Sequence, residues 1–152
     1  MNKKRFRFLA VCLTIGILCF IFSQSLMDRV SSKLESEQVL GLIYPYLSRF
    51  MDHEMAEYLI RKLAHMFEFA CLGAIIAIDG VAFDLTKGKD FIIFLLCGMM
   101  TGLCDETIQI FSLRSAEIKD VWIDFLGYFC GFVFFWLLCK WVINRRTNNE
   151  RQ

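Results

Sequence analysis

The sequence has little net charge and lacks the cysteine spacings of metal-binding and disulfide-rich proteins. Its formal net charge is +1, so nucleic acid is not an expected partner. None of its seven cysteines forms a CxxC pair, and six of the seven lie in strongly apolar stretches. We therefore interpret the cysteines as small apolar residues packed between helices.

Apolar residues are abundant instead. Hydrophobic residues make up 57% of the 152-residue chain, and 16 residues are Phe. Globular proteins contain about 45–50% apolar residues, so the composition indicates a membrane protein. The length fits one domain over residues 1–152.

Four apolar stretches predict an all-α fold, a bundle of four transmembrane helices. The spans are approximately residues 6–22, 59–78, 91–111 and 120–143. The first is shorter than the ~20 residues that a bilayer requires. It is followed by no clear small-x-small cleavage site, so we expect a retained helix rather than a signal peptide.

The connection between the first two spans, residues 23–58, has apolar residues at roughly helical spacing and acidic flanks. This pattern predicts an amphipathic helix at the membrane interface, kinked or broken at Pro45. A loosely ordered loop is the alternative.

Basic residues predict the orientation of the bundle. The N-terminal segment, residues 79–90 and the C-terminal segment hold ten of the 17 Lys and Arg residues. The positive-inside rule therefore predicts that both termini are cytoplasmic. The polar ends of the last three spans then face outward.

The polar residues of these three spans recur on helical stripes at that outer end. They are Arg61, His65 and Glu68 with Lys62 further round the second span, Asp105, Glu106 and Gln109 in the third, Asp120 and Asp124 in the fourth, and Arg114 in the connection between the last two. Because ionisable residues inside a membrane are costly, we interpret the set as a functional site.

The residue types indicate two roles. Candidate catalytic residues are His65, Glu68, Asp105, Glu106 and Asp124, because imidazole and carboxylate groups transfer protons. Candidate ligand-binding residues are Arg61, Lys62, Gln109, Arg114 and Asp120, because cationic donors suit phosphate or carboxylate groups. The expected ligand is a membrane lipid or a lipid-linked cell-wall precursor, and no cofactor can be named.

Two other interpretations stay open. His65, Glu68, Asp105 and Asp124 could ligate a metal. HxxE is a weak signal and no HExxH or Cys–His pattern supports zinc, so we name no metal ligand, while an oxygen-rich site stays open. Alternatively, the charges pair to hold the helices together in a non-catalytic accessory protein.

Glycines and aromatic residues also carry predictions. The pairs Gly98/Gly102 and Gly127/Gly131 have the small-xxx-small spacing that allows helices to approach closely, within one chain or in a homo-oligomer. We interpret the aromatic residues late in the fourth span as lipid contacts and an interfacial belt. They are Phe129, Phe132, Phe134, Phe135, Trp136 and Trp141.

These residues resemble the VanZ-like family of bacterial membrane proteins. The matching elements are Phe22-Ser23-Gln24, Arg61-Lys62-Leu-Ala64-His65-Met-Phe-Glu68-Phe69, Asp105-Glu106-x-x-Gln109-x-Phe111-x-x-Arg114, and Asp120 and Asp124 with Gly127 and Gly131. Phe69 stands where the family often has Tyr. The resemblance implies a bacterial cytoplasmic membrane location and an association with resistance to teicoplanin-type glycopeptides. It supplies no established reaction.

Overall fold

A computed structural model describes residues 2–27, 29–85, 87–112 and 117–149. These ranges contain five α-helices and no β-strand. The helices are α1 (Lys3–Leu26), α2 (Arg29–Leu47), α3 (His53–Ala82), α4 (Gly88–Phe111) and α5 (Ile118–Asn149). All except α2 are long and apolar enough to cross a membrane. The prediction of an all-α chain with four spans is therefore confirmed.

The helices are longer than the predicted spans, because polar residues extend them beyond the apolar runs. The predicted span 6–22 is part of a helix of 24 residues, and 59–78 is part of one of 30. At the start of α3, the Asp52 side chain accepts a hydrogen bond of 2.9 Å from the Met55 N–H. Such a cap satisfies a backbone donor that the helix leaves unpaired.

The predicted connection at residues 23–58 is mostly helical. Its first residues complete α1, its last begin α3, and α2 lies between them. Pro45 falls in the last turn of α2, which ends two residues later at Leu47. Proline therefore removes one backbone hydrogen bond of α2 shortly before the helix ends. The position of α2 at a membrane interface stays a prediction.

Many large apolar side chains of the described residues lie outside, and several acids lie inside. Phe8 and Phe67 are each 69% exposed, whereas Asp105 is fully buried and Asp124 is 2% exposed. This reverses the usual arrangement of a soluble domain. Together with the four apolar helices, it identifies a multi-pass membrane protein.

Backbone contact between α3 and α5 dominates the packing. A Cβ atom added at Gly127 would overlap the carbonyl oxygen of Met66, and one added at Gly131 would overlap that of Ala70. Conversely, Gly73 of α3 lies against the Tyr128 carbonyl of α5. The second glycine pair thus serves packing within the chain, and homo-oligomerisation remains a prediction.

The hydrophobic core lies beside this contact and includes part of the aromatic set. Phe132 is fully buried and Trp136 is 5% exposed, and the two rings stack with centroids 5.4 Å apart. Interpreting both as lipid contacts was wrong, because they lie on the face of α5 that packs inward. Phe134 and Trp141 are exposed, at 63% and 52%.

Contacts at the two ends show how the helices alternate in direction. Near the chain's N-terminus, Arg7 Nε donates to the Ala82 carbonyl over 2.8 Å, which places the start of α1 beside the end of α3. At the other end, Ser25 of α1 contacts Asp105 of α4. The polar ends of α3, α4 and α5 therefore lie at the end of the bundle opposite the start of α1.

Substituting Gly131 by Ala tests how much the backbone contact between α3 and α5 contributes to stability. Gly131→Ala cannot be accommodated by a side-chain rotation, so we expect a loss of about 2 kcal/mol or more in the free energy of unfolding. Gly102→Ala is the control, because its added Cβ would meet its nearest neighbours at 3.7 Å. That change should stay within about 1 kcal/mol. Unfolding in mixed micelles measures both, and equal losses would contradict the proposed packing.

Candidate functional site

Three buried acids meet where α4 and α5 face each other. Asp105, Glu106 and Asp124 each place a carboxylate oxygen within 4.8 Å of the others. Their exposures are 0%, 6% and 2%. We call these three residues the carboxylate cluster. Burial of acids so close together is costly unless partners compensate.

Asp105 has such partners. The Ser25 hydroxyl donates to its Oδ1, and Gln109 Nε2 donates to its Oδ2 over 2.8 Å. One donor comes from α1 and the other from the next turn of α4. The Asp105 carboxylate is therefore held in one orientation, and it also joins two helices.

Glu106 and Asp124 are only partly compensated. The Glu117 N–H donates to Glu106 Oε2 over 3.1 Å. Glu106 Oε1 and Asp124 Oδ2 are buried and accept no hydrogen bond from the described residues. Unsatisfied buried acceptors usually cost about 1–3 kcal/mol each. Such atoms mark a place where a ligand or ion can contribute what the chain does not.

An ion pair lies beside the cluster. Lys62 of α3 pairs with Asp120 of α5, and their side chains are only 14% and 11% exposed. The pair lies one turn before Asp124 along α5, on the same stripe as Gly127 and Gly131. It therefore brings a positive charge close to the acidic end of the bundle.

A cleft lies between α2 and α3 at this same end. Its volume is about 170 Å³. It is lined by Gln24 of α1, by Ser32, Glu35, Ser36 and Val39 of α2, and by Ile60, Arg61, Ala64, His65 and Glu68 of α3. The predicted stripe of Arg61, His65 and Glu68 therefore lines one wall. We call this space the α2–α3 cleft.

The last turn of α1 connects the cleft and the cluster. Gln24 lines the cleft, whereas the next residue, Ser25, donates to Asp105 of the cluster. A ligand in the cleft would thus contact the helix turn that positions a buried acid. This shared turn makes the cleft and the cluster two parts of one candidate site.

The described contacts sort the predicted site residues into two groups. The cleft contains Arg61, His65 and Glu68. The second group contains the buried Asp105, Glu106, Gln109, Asp120 and Asp124, with the partly buried Lys62. Arg114 lies outside the described residues.

Sequence reasoning did not identify Ser25 or the lining residues of α2. Ser25 directly follows the Phe22-Ser23-Gln24 motif, so a signal was present. The α2 residues Ser32 and Ser36 had no such signal, because only tertiary packing turns them toward α3.

The VanZ/LLP1 family model matches residues 8–139. The chain belongs to the VanZ/LLP1 family. The match extends from α1 into α5 and includes every predicted site residue, so the resemblance drawn from the motifs is confirmed. No curated protein and no solved structure is significantly similar to the chain. Membership of the VanZ/LLP1 family does not by itself name a substrate.

The Lys62–Asp120 pair yields a stability prediction. Lys62→Met would leave the Asp120 carboxylate buried without its cation, so we expect a loss of about 3 kcal/mol in the free energy of unfolding. Lys62→Met/Asp120→Asn should recover most of that loss, because both charges are then removed.

Lys33 provides the matched control for this prediction. It lies 3.8 Å from Glu57 Oε2 and is 61% exposed, so Lys33→Met should cost less than about 1 kcal/mol. Unfolding in mixed micelles compares the variants. Similar losses for Lys62→Met and Lys33→Met would contradict a stabilising role for the buried pair.

Proposed function

We propose that this VanZ/LLP1 protein binds or modifies a lipid, or a lipid-linked cell-wall precursor, at the outer face of the bacterial cytoplasmic membrane. The proposal depends on one observation. A cleft with a cation, an imidazole and carboxylates shares one end of the bundle with a buried carboxylate cluster.

Recognition would begin in the α2–α3 cleft. The Arg61 guanidinium offers the planar pair of donors that suits a phosphate group. Pockets for drug-sized ligands span about 300–1,000 Å³, so a cleft of about 170 Å³ fits a headgroup rather than a whole lipid. The acyl chains would stay in the bilayer, against the apolar exterior of the bundle.

If the bound molecule is modified, the reacting side chains would be those on the α3 wall of the cleft. His65 and Glu68 are three residues apart on α3, so both project into the cleft from one face. An imidazole and a carboxylate in that relation can accept and return a proton while a headgroup bond is cleaved or transferred. The carboxylate cluster would support the site through Ser25 and the last turn of α1.

The charge distribution supports the proposed outward orientation. Lys3, Lys4 and Arg5 lie at the start of α1, and Lys87 and Lys89 lie at the start of α4. These two helix starts are at the end away from the cluster. The positive-inside rule favours that end in the cytoplasm and the candidate site outside.

A site of this kind would alter susceptibility to teicoplanin-type glycopeptides, whose target is in the cell envelope. We expect expression of the wild-type chain to change teicoplanin susceptibility, and His65→Ala or Asp105→Asn to abolish the change. The chain has one other histidine, His53, which contacts Glu37 at 3.4 Å and is half-exposed. His53→Ala is the matched control and should behave like the wild type.

The measurement requires equal amounts of each variant in the membrane. Identical susceptibility of cells with wild type, His65→Ala and Asp105→Asn would refute a role for the site. Mass spectrometry of lipids incubated with the purified protein then tests whether the bound molecule is modified.

A non-catalytic accessory protein is the second candidate function. Its support is that Ser25–Asp105 and Lys62–Asp120 join helices, as purely structural contacts would. Lipid turnover that disappears in folded Glu106→Gln protein favours the enzyme. Binding of lipid without any change in its mass favours the accessory function.

Orientation can be tested separately by cysteine labelling. Lys119 lies at the start of α5, near the candidate site, and Lys89 lies at the opposite end. In a chain whose native cysteines are replaced, an impermeant maleimide should label Lys119→Cys in intact cells but label Lys89→Cys only after lysis. The reverse pattern would place the site in the cytoplasm.

A further inference from the structure

We propose that the carboxylate cluster binds one divalent cation through Asp105, Glu106 and Asp124. The donors are all carboxylate oxygens, which select hard ions of the Mg²⁺, Mn²⁺ and Ca²⁺ class over zinc or copper. The site would lie between α4 and α5, apart from the histidine of the cleft.

The spacing of the oxygens fits an ion at their centre. Hard divalent cations bind oxygen at about 2.0–2.6 Å, so two oxygens on opposite sides of an ion lie about 4–5 Å apart. The three carboxylates each offer an oxygen within 4.8 Å of the other two. Helices α4 and α5 therefore already hold the three acids within the range of separations that such an ion requires.

Unpartnered atoms give a second, independent reason. Glu106 and Asp124 are 6% and 2% exposed. Glu106 Oε1 and Asp124 Oδ2 are buried acceptors with no hydrogen-bond donor among the described residues. Acids placed together only for packing would be expected to fill these positions with donors. A cation would fill both at once.

The surrounding hydrogen bonds resemble those that orient metal ligands. Ser25 and Gln109 hold Asp105, and the Glu117 N–H holds Glu106 through Oε2. Each carboxylate oxygen has two lone pairs, so these bonds leave acceptor capacity for an ion. Outer-shell contacts of this type fix the direction of ligands and tune their affinity.

The formal charges around the cluster also favour a bound cation. Asp120 lies beside the three acids of the cluster, and the Lys62 ammonium pairs with Asp120. Ionised, these five groups would have a formal charge of −3 in a largely apolar bundle. A divalent cation would lower this to −1, and Lys62 would then offset the acid nearest to it.

This inference does not rest on the proposed function. Cation binding is measured on the protein alone, whereas the lipid proposal concerns the cleft and can fail separately. The ligand set shares Asp105 and Asp124 with the metal site considered from the sequence, but Glu106 takes the place of His65 and Glu68.

Mn²⁺ is the probe for the test. The purified full-length protein in detergent is stripped with EDTA and titrated with Mn²⁺, and the free ion is followed by its electron paramagnetic resonance signal. We expect roughly one Mn²⁺ per chain, displaced by excess Mg²⁺ or Ca²⁺. Asp124→Asn and Glu106→Gln should each weaken binding at least about tenfold.

Asp90→Asn is the matched control. Asp90 is also a buried acid of α4, 8% exposed, but it caps the opposite end of the helix. Its substitution should leave Mn²⁺ binding unchanged. Ser25→Ala keeps all three ligands and should weaken binding by about tenfold or more, so it decides the matter if a ligand variant does not fold.

Two results would overturn the proposal. One is a folded wild-type protein that takes up no Mn²⁺, Mg²⁺ or Ca²⁺ at millimolar concentration, which would mean that protons or other groups neutralise the acids. The other is equal binding by the wild type and folded Asp124→Asn or Glu106→Gln, which would place the ion elsewhere.

Discussion

The backbone contact between α3 and α5 is the constraint on which the rest of the structure depends. Glycines at positions 127 and 131 allow the two helices to touch through the carbonyl oxygens of Met66 and Ala70. One turn earlier on the same stripe of α5, Asp124 must then point into the bundle. Close packing of two apolar helices is therefore what forces a carboxylate into the interior, and α4 brings the other two acids to meet it.

That arrangement gives the candidate site two parts. The α2–α3 cleft has Arg61, His65 and Glu68 on its wall, whereas the carboxylate cluster is almost fully buried. Ser25 belongs to the turn that joins them. A substitution in the cluster can thus alter the cleft through the last turn of α1, without contacting a ligand itself. Single substitutions in the two regions can therefore have similar effects on function.

Much of this could be predicted from sequence, because long apolar runs and helical stripes are local properties. The four spans follow from hydrophobicity, and the stripe of Arg61, His65 and Glu68 follows from helical periodicity alone. What could not be predicted depends on neighbours. Trp136 was assigned to the lipid, since nothing local distinguishes an inward aromatic residue from an outward one. The cleft could not be predicted because one of its walls is α2. The interrupted apolar pattern of residues 23–58 does not indicate that this helix packs against α3.

The order of the partners along the chain has a consequence for biosynthesis. Ser25 precedes Asp105 by 80 residues, and Lys62 precedes Asp120 by 58. A ribosome therefore delivers Ser25 and Lys62 to the membrane before Asp105 and Asp120, the acids that they contact on other helices. An acid that inserts after its partner can be hydrogen-bonded or ion-paired on arrival, whereas an acid that inserts first would stay exposed to hydrocarbon until a later helix arrives. In these two interhelical contacts, the buried acid is therefore the group that inserts last.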